Sequence, residues 1–270
     1  MKNLLTAFSL SFLWMAGIAT ASPANAGLDH ISTPNVTCMT EDADGYIWMG
    51  TARGLNRYNG STYRVWYQGE GSLTDDAVTS VCADGQGRIW VGTSSGVNLV
   101  RDGRADPACD IRCGRVGNVY SIDDKRLLYS SRDGLHLLDK DTYSSSPVYQ
   151  DPKLLYNTFT VLSDGKIWIR NTASGIITIL SPDWHVIREF PAPENLLSKV
   201  TEAPDGSIYT CTGAGLLRFT SDGAPLPVPE TLRNATQGKP VLFMAVKDSD
   251  MFIGIRNEGI FYIGNDGPRR

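Results

Sequence analysis

Histidine is nearly missing from this chain. Only His30, His136 and His185 occur in 270 residues, without a spacing that would place them on one zinc ion. Asp42-Ala43-Asp44-Gly45 is a short acidic turn that recurs nowhere intact, so turn chemistry explains it better than a calcium loop. No metal and no cofactor is expected. A basic surplus is absent too: 25 Lys and Arg stand against 29 Asp and Glu with no basic block, which excludes nucleic acid as a partner. Gly-x-Ser-x-Gly, His-Glu-x-x-His and phosphate-cradling glycine loops are all lacking. The adjacent acids Asp75-Asp76 and Asp123-Asp124 fall in turns or loops. Catalytic carboxylates must face one another across a cleft, which adjacency does not provide. The chain as given is therefore expected not to be an enzyme.

Long apolar runs are limited to one. Lys2 precedes a mostly apolar stretch from Leu4 to Ala21, and Ala24-Asn25-Ala26 follows it. That is the pattern of a secretory signal peptide over residues 1–26, cut before Gly27, with a cut after Ala21 as the alternative. No second run long enough to span a bilayer follows, so residues 27–270 read as one exported domain, periplasmic or secreted. The five cysteines (Cys38, Cys82, Cys109, Cys113, Cys211) leave one unpaired in any scheme. Cys109 and Cys113 are close enough for a small loop disulfide in an oxidising compartment. Cys38 and Cys82 read as small buried thiols on or beside inner strands.

What the chain does have is a repeat. Asp44-Gly45-Tyr46-Ile47-Trp48-Met49-Gly50-Thr51 has a second version in Gly87-Arg88-Ile89-Trp90-Val91-Gly92-Thr93. Equivalent aromatics fall at Trp48, Trp90, Tyr129, Trp168, Tyr209 and Phe252, with gaps of 42, 39, 39, 41 and 43 residues. Gly54, Gly96, Gly134, Gly175, Gly215 and Gly259 keep the same step. A period near forty with several short strands per unit is the signature of β-propeller blades. The fold expected is all-β: about six four-stranded blades over residues 28–264, with repeats near 36–67, 78–112, 116–150, 158–190, 200–230 and 241–264. The sixth copy shows no outer strand. Leu28 to Ile31 could complete that blade and close a ring of six; an arc of a seven-bladed ring is the alternative. The Asp-Gly pairs suit tight hairpins, and the aromatic at one register per blade reads as filler between sheets.

Asp42, Gly45, Trp48, Gly50, Thr51, Gly54, Leu55, Asn56, Arg57 and Tyr58, echoed by Trp90, Gly92, Thr93, Gly96, Val97 and Asn98, resemble the two-component regulator propeller repeat. The resemblance is strong over residues 35–100 and loosens afterwards. It implies the periplasmic ligand-sensing region of a hybrid histidine kinase system, of the kind that detects polysaccharide fragments in gut Bacteroidetes. An oligosaccharide ligand is implied, with homodimers through propeller edges and a kinase module in further sequence or in a partner. A stand-alone secreted lyase or hydrolase, or an envelope scaffold for protein partners, is the alternative.

Propellers bind on the face made by loops joining second to third strands and outer to next inner strands. Here those loops carry Arg53, Arg132, Asp133, Asn171, Arg256, Asn257 and Glu258. Guanidinium groups match carboxylates bidentately, which suits an acidic or hydroxyl-rich sugar. Trp66, Tyr67 and Trp184, near outer strands, would add stacking surfaces. The three histidines are expected to avoid these loops.

Overall fold

Each repeat folds as four short strands because its turn residues reverse the chain every five or six residues. Gly45, Gly165 and Gly206 of the Asp-Gly pairs all take positive φ, between 77° and 82°, where residues with a Cβ are disfavoured. The computed structural model describes residues 31–69, 72–151, 157–198, 200–247, 250–264 and 267–269. The expected signal peptide, His30 and most of the proposed closing segment Leu28 to Ile31 lie outside these residues.

The chain divides into two compact units, Met1–Tyr156 and Asn157–Arg270. In the first, blade one holds β1 (Val36–Glu41), β2 (Ile47–Thr51), β3 (Gly54–Tyr58) and β4 (Tyr63–Trp66). Blade two holds β5 (Val78–Ala83), β6 (Arg88–Thr93), β7 (Val97–Arg101) and β8 (Arg104–Ile111). Blade three holds β9 (Val119–Ser121), β10 (Arg126–Ser131), β11 (Gly134–Asp139) and β12 (Ser145–Gln150). In the second unit, blade four holds β13 (Asn157–Val161), β14 (Ile167–Asn171), β15 (Ile176–Leu180) and β16 (Val186–Pro191). Blade five holds β17 (Thr201–Glu202), β18 (Ile208–Thr212), β19 (Gly215–Phe219) and β20 (Pro225–Leu226), followed by α1 (Glu230–Thr236). Blade six holds β21 (Val241–Lys247), β22 (Asp250–Ile255), β23 (Gly259–Gly264) and β24 (Gly267–Arg269). Every sheet is an antiparallel meander in chain order, the blade architecture of a β-propeller.

Two expectations are corrected. Blade six has its own outer strand, since β24 pairs with β23 through Tyr262↔Arg269 and Ile263↔Pro268. Three residues with a proline carry no hydrophobic alternation, so the sequence hid it. All five cysteines are free. Cys109 points from β8 into a core with Trp90, Leu99 and Leu127, while Cys113 lies past the strand end and only flanks that core. The helix α1 was not foreseen. It follows Pro229, carries Glu230 in its first turn and buries Leu232 against blades five and six.

The repeated aromatics pack as filler between sheets. Trp48, Trp90, Tyr129, Trp168 and Tyr209 are all buried, and Phe252 partly so. Trp48 lies in one core with Val81, Ile89 and Val91 of blade two, and Trp90 in another with Val119 and Leu127 of blade three. Full burial of such a side chain contributes roughly 1.5–3 kcal/mol or more.

The rest of the motif is polar and equally structural. The indole N–H of Trp48 donates to Asp42 Oδ2 at 2.6 Å, while Asp42 Oδ1 accepts the backbone N–H groups of Asp44 and Tyr46 at 3.0 Å. Trp90 donates likewise to Asp84 Oδ2 at 3.1 Å. The hydroxyls of Thr51 and Thr93 close their hairpins on the carbonyls of Gly54 and Gly96, at 2.9 and 3.0 Å. The buried amides of Asn56 and Asn98 tie down the segments leading into their blades, through Ser32 and Thr74. Gly92 stands where neighbouring blades touch: a Cβ there would meet Val116 Cγ1 at 2.8 Å.

A charged cluster fastens blades two and three. The Lys140 ammonium, wholly buried, donates to Ser121 Oγ at 2.6 Å, the Asp123 carbonyl at 2.7 Å and Asp84 Oδ2 at 3.3 Å. Asp84, equally buried, also accepts from Arg88 Nε at 2.6 Å. Burial pushes the Asp84 carboxyl up, but the bonds from Trp90, Gln86, Lys140 and Arg88 outweigh it, and its pKa falls below the usual carboxylate range.

Candidate functional site

In an antiparallel meander the hairpin between second and third strands and the connection to the next blade emerge at the same end. Backbone bonds in the first unit join these loops directly. Gly54 N–H donates to the Asp76 carbonyl at 2.7 Å, Val116 N–H to Thr93 at 2.9 Å and Gly117 N–H to Ser130 at 3.1 Å. The loop end of each blade is thus a fixed platform whose side chains are presented by short hairpins.

Arg53 and Arg132 stand exposed on the β2–β3 and β10–β11 hairpins. Neither guanidinium has a partner among the described residues, and the same holds for the half-buried Arg256 on β22–β23. The acids Asp75 and Asp76 at this end of the first unit are committed to the fold. Asp76 Oδ1 accepts Gln68 N–H at 2.5 Å, and Asp75 accepts Ala77 N–H and the Ser95 hydroxyl at 2.8 and 2.7 Å. The guanidinium donors are open to a ligand's oxygens, while oxygens of these carboxylates are already taken within the fold.

The other expected residues divide. Asp133 accepts bonds from the Ser131 hydroxyl, from His136 Nε2 at 3.0 Å and from Gln150 Nε2 at 3.2 Å. The Ser131 bond and the adjacent imidazole lower its pKa to about 2. Glu258 is ion-paired with Lys239 at 3.0 Å. Asn171 is buried and accepts the N–H groups of Ala173 and Ser174 at 3.0 and 3.1 Å, doing for its hairpin what Thr51 and Thr93 do for theirs. Trp184 belongs to the β15–β16 turn, at the opposite end of its blade from Asn171, and takes φ 70°. Trp66 is buried with its ring centroid 5.0 Å from that of Trp48, and so offers no stacking surface; Tyr67 is exposed.

His136 lies on β11 and His185 in the β15–β16 turn, so neither stands on the loops of this end. His136 reaches Asp133 in a loop of this end and stacks on Tyr129 at 5.2 Å. Asp133 Oδ1 is shared by the Ser131 hydroxyl and the imidazole, an order unlike a hydrolytic triad, where the imidazole stands between the hydroxyl and the carboxylate. His185 lies near Asp183 at the far end of blade four, 3.3 Å away. Among the described residues no group of His, Cys, Asp and Glu is arranged to hold a metal, and no helix is long and apolar enough to cross a membrane.

Sequence reasoning missed two cations. Arg115, in the β8–β9 connection, donates to Ser94 Oγ at 3.3 Å on the β6–β7 hairpin. Arg170 occupies the register of Gly50 and Gly92, two residues after the repeated aromatic; that departure was the available signal.

The family model for the two component regulator propeller matches residues 30–53 and 72–95. No curated protein sequence matches the chain. Among solved structures, the extracellular domain of a protein described as hybrid two component system BT3049 from B. thetaiotaomicron is similar over 87% of this chain and 34% of its own, with 21% identity and TM-score 0.65. The corresponding domain of BT4673 from the same organism is similar over 86% and 35%, with 15% identity and TM-score 0.62. The chain thus spans about a third of the length of these domains. Catalytically inactive virginiamycin B lyase from Staphylococcus aureus is similar over 84% of this chain and 81% of its own, with 13% identity and TM-score 0.63. At such identities the likeness is one of fold. Blade topology and structural likeness agree that the chain is a β-propeller, two stretches of which, residues 30–53 and 72–95, match the two component regulator propeller model.

Proposed function

We propose that this chain is the ligand-sensing propeller, whole or part, of a periplasmic or extracellular sensor in a two-component system. The repeat match and the likeness to extracellular domains of such systems support the signalling side. The observation that carries the binding side is the pair of exposed, unengaged guanidiniums of Arg53 and Arg132, on a loop end whose Asp75, Asp76 and Asp133 are internally bonded. The ligand class that fits is an acidic or hydroxyl-rich oligosaccharide. Binding alters an interface between copies through propeller edges, and the kinase lies in further sequence or in a partner. The chain makes no covalent change to its ligand.

The test is calorimetric titration with matched uronate-bearing and neutral oligosaccharides, at low and high salt. Tighter binding of the acidic member, weakened by salt and by R53A/R132A by about tenfold or more, is expected, since each charge-assisted bond is worth roughly 1.5–3 kcal/mol. Equal binding of the neutral sugar, or no effect of the double variant, overturns the reading.

A further inference from the structure

Two seams of the first unit are closed in one way, and the seams of the second unit depart from it. At the first seam the bulged Thr37 donates its hydroxyl to the Val78 carbonyl at 2.7 Å, and at the second Thr79 donates to Val116 at 2.6 Å. Opposite the residue after each bulge stands Gly50 or Gly92, with no room for a side chain. Blade four breaks both rules. Its inner strand is unbulged, and Thr158 pairs with Arg170 at the glycine's place. The seam bond shifts to Thr160, whose hydroxyl reaches the Val200 carbonyl at 3.4 Å, as at the next seam Thr201, at the same register, donates to the Met244 carbonyl at 3.0 Å. The inner strand of blade five is only two residues long.

The result is a cleft in the second unit, lined by Thr158, Thr160, Arg170, Leu196, Ser198 and Val200. Its volume is about 10 Å³, roughly that of one water-sized group. Arg170 is half-buried there and donates from Nη2 to the Leu196 carbonyl at 3.0 Å. No carboxylate among the described residues pairs with it, and burial alone pulls its pKa down. Several other cations withdrawn from water have acids: Arg88 and Lys140 have Asp84, Lys166 has Asp164, and Arg218 has Asp205. The half-buried Arg57 lies over the Tyr46 and Trp48 rings, and Arg256 has no acid among the described residues. A cation withdrawn from water without a counter-ion is a cost the fold need not bear, because glycine at this register closes the seam.

We propose that Arg170 and the Thr158 hydroxyl form an anion site in the seam between blades four and five, which takes the carboxylate of a small organic acid or uronic-acid unit. The slot admits one oxygen. A single carboxylate oxygen fits it, and the apolar side chains in its lining, Leu196 and Val200, disfavour the further oxygens of a sulfate. The proposal deepens the sensing reading by naming a ligand group, but it concerns different residues from Arg53 and Arg132, so the two fail separately.

The test is calorimetric and thermal-shift titration of the intact chain with sodium glucuronate, glucose and sodium sulfate at constant ionic strength. The expected result is saturable binding of glucuronate alone, reduced at least tenfold by Arg170→Gln and severalfold by Thr158→Val. Binding in R53A/R132A should be unchanged. Because R170Q removes a half-buried charge that no acid pairs with, it should fold at least as stably as the parent; T158V is nearly isosteric and decides the matter if R170Q fails to fold. Absence of glucuronate binding up to tens of millimolar, equal binding of sulfate, or unaltered affinity in the variants overturns the proposal.

Discussion

Replacing Lys140 by methionine tests whether the seam between blades two and three depends on its buried charges. Methionine keeps most of the length and apolar stem but removes donations to Ser121 Oγ, the Asp123 carbonyl and Asp84, at 2.6, 2.7 and 3.3 Å. Removing one partner of a buried ion pair typically costs about 3–5 kcal/mol. Here Asp84 keeps Arg88 at 2.6 Å and Trp90 at 3.1 Å, which places the expected loss near the lower end, about 3 kcal/mol. At roughly 2–4 °C per kcal/mol for a domain of this size, the melting temperature should fall by about 6–12 °C. D84N should cost at least as much, because it leaves two buried cations facing an amide. The combination K140M/D84N should cost clearly less than the two losses added, since the second change removes a group the first has left unpaired. The assay is urea and thermal unfolding of the four proteins at neutral pH. A loss under about 1 kcal/mol for K140M, or strict additivity, would refute the coupling drawn from the geometry. The pH sign follows: the Asp84 pKa is lowered on folding, so its contribution is complete above the unfolded value near 4 and disappears as pH falls through the lower folded value. D84N should remove that component of acid sensitivity.

Three further outcomes are expected. Gly92→Ala places a methyl carbon 2.8 Å from Val116 Cγ1, and overpacking of this kind should lower stability by about 1–3 kcal/mol in urea titrations; a neutral result would mean the seam can yield. Cys82, Cys109, Cys113 and Cys211 are free thiols whose pKa values burial pushes up to about 11, 12, 11 and 11. A thiol reagent at neutral pH should therefore leave the native chain almost untouched and count five thiols after denaturation, a smaller count revealing a disulfide. The Asp133 carboxyl should titrate in carbon NMR near its value of about 2, and H136A should raise that midpoint because a neighbouring donor is lost. A midpoint unaffected by H136A would show the imidazole plays no part.

The sequence revealed the blades because their signals repeat. An aromatic and a glycine at a fixed step are readable even where the surrounding residues drift, so Tyr129 and Tyr209 were placed as readily as Trp48. Features present once were not readable. The helix over Glu230–Thr236 replaces outer-strand length in one blade only, and the strand Gly267–Arg269 lacks alternation. The candidate site was legible as a set of loops but not as chemistry. Arg53 and Asp133 look alike as exposed loop charges, and only the positions of Ser131, His136 and Gln150 show that one is engaged and the other open. The Lys140–Asp84 contact spans 56 residues and leaves no local pattern at all.

The way neighbouring blades meet has a consequence for how such a chain can change over time. Val78 and Val116 receive their seam bonds through backbone carbonyls, and the facing glycines demand only that nothing protrude. Neither feature depends on which copy lies next door, so blades joined in this manner are interchangeable parts. A duplication or deletion of one whole repeat would bring compatible edges together without any compensating substitution. Blade number can then vary by recombination while individual loops diverge. The seam at Arg170 is not of this kind: a side chain stands where those seams have glycine, and a repeat exchanged at this place would erase whatever the arginine is there to do.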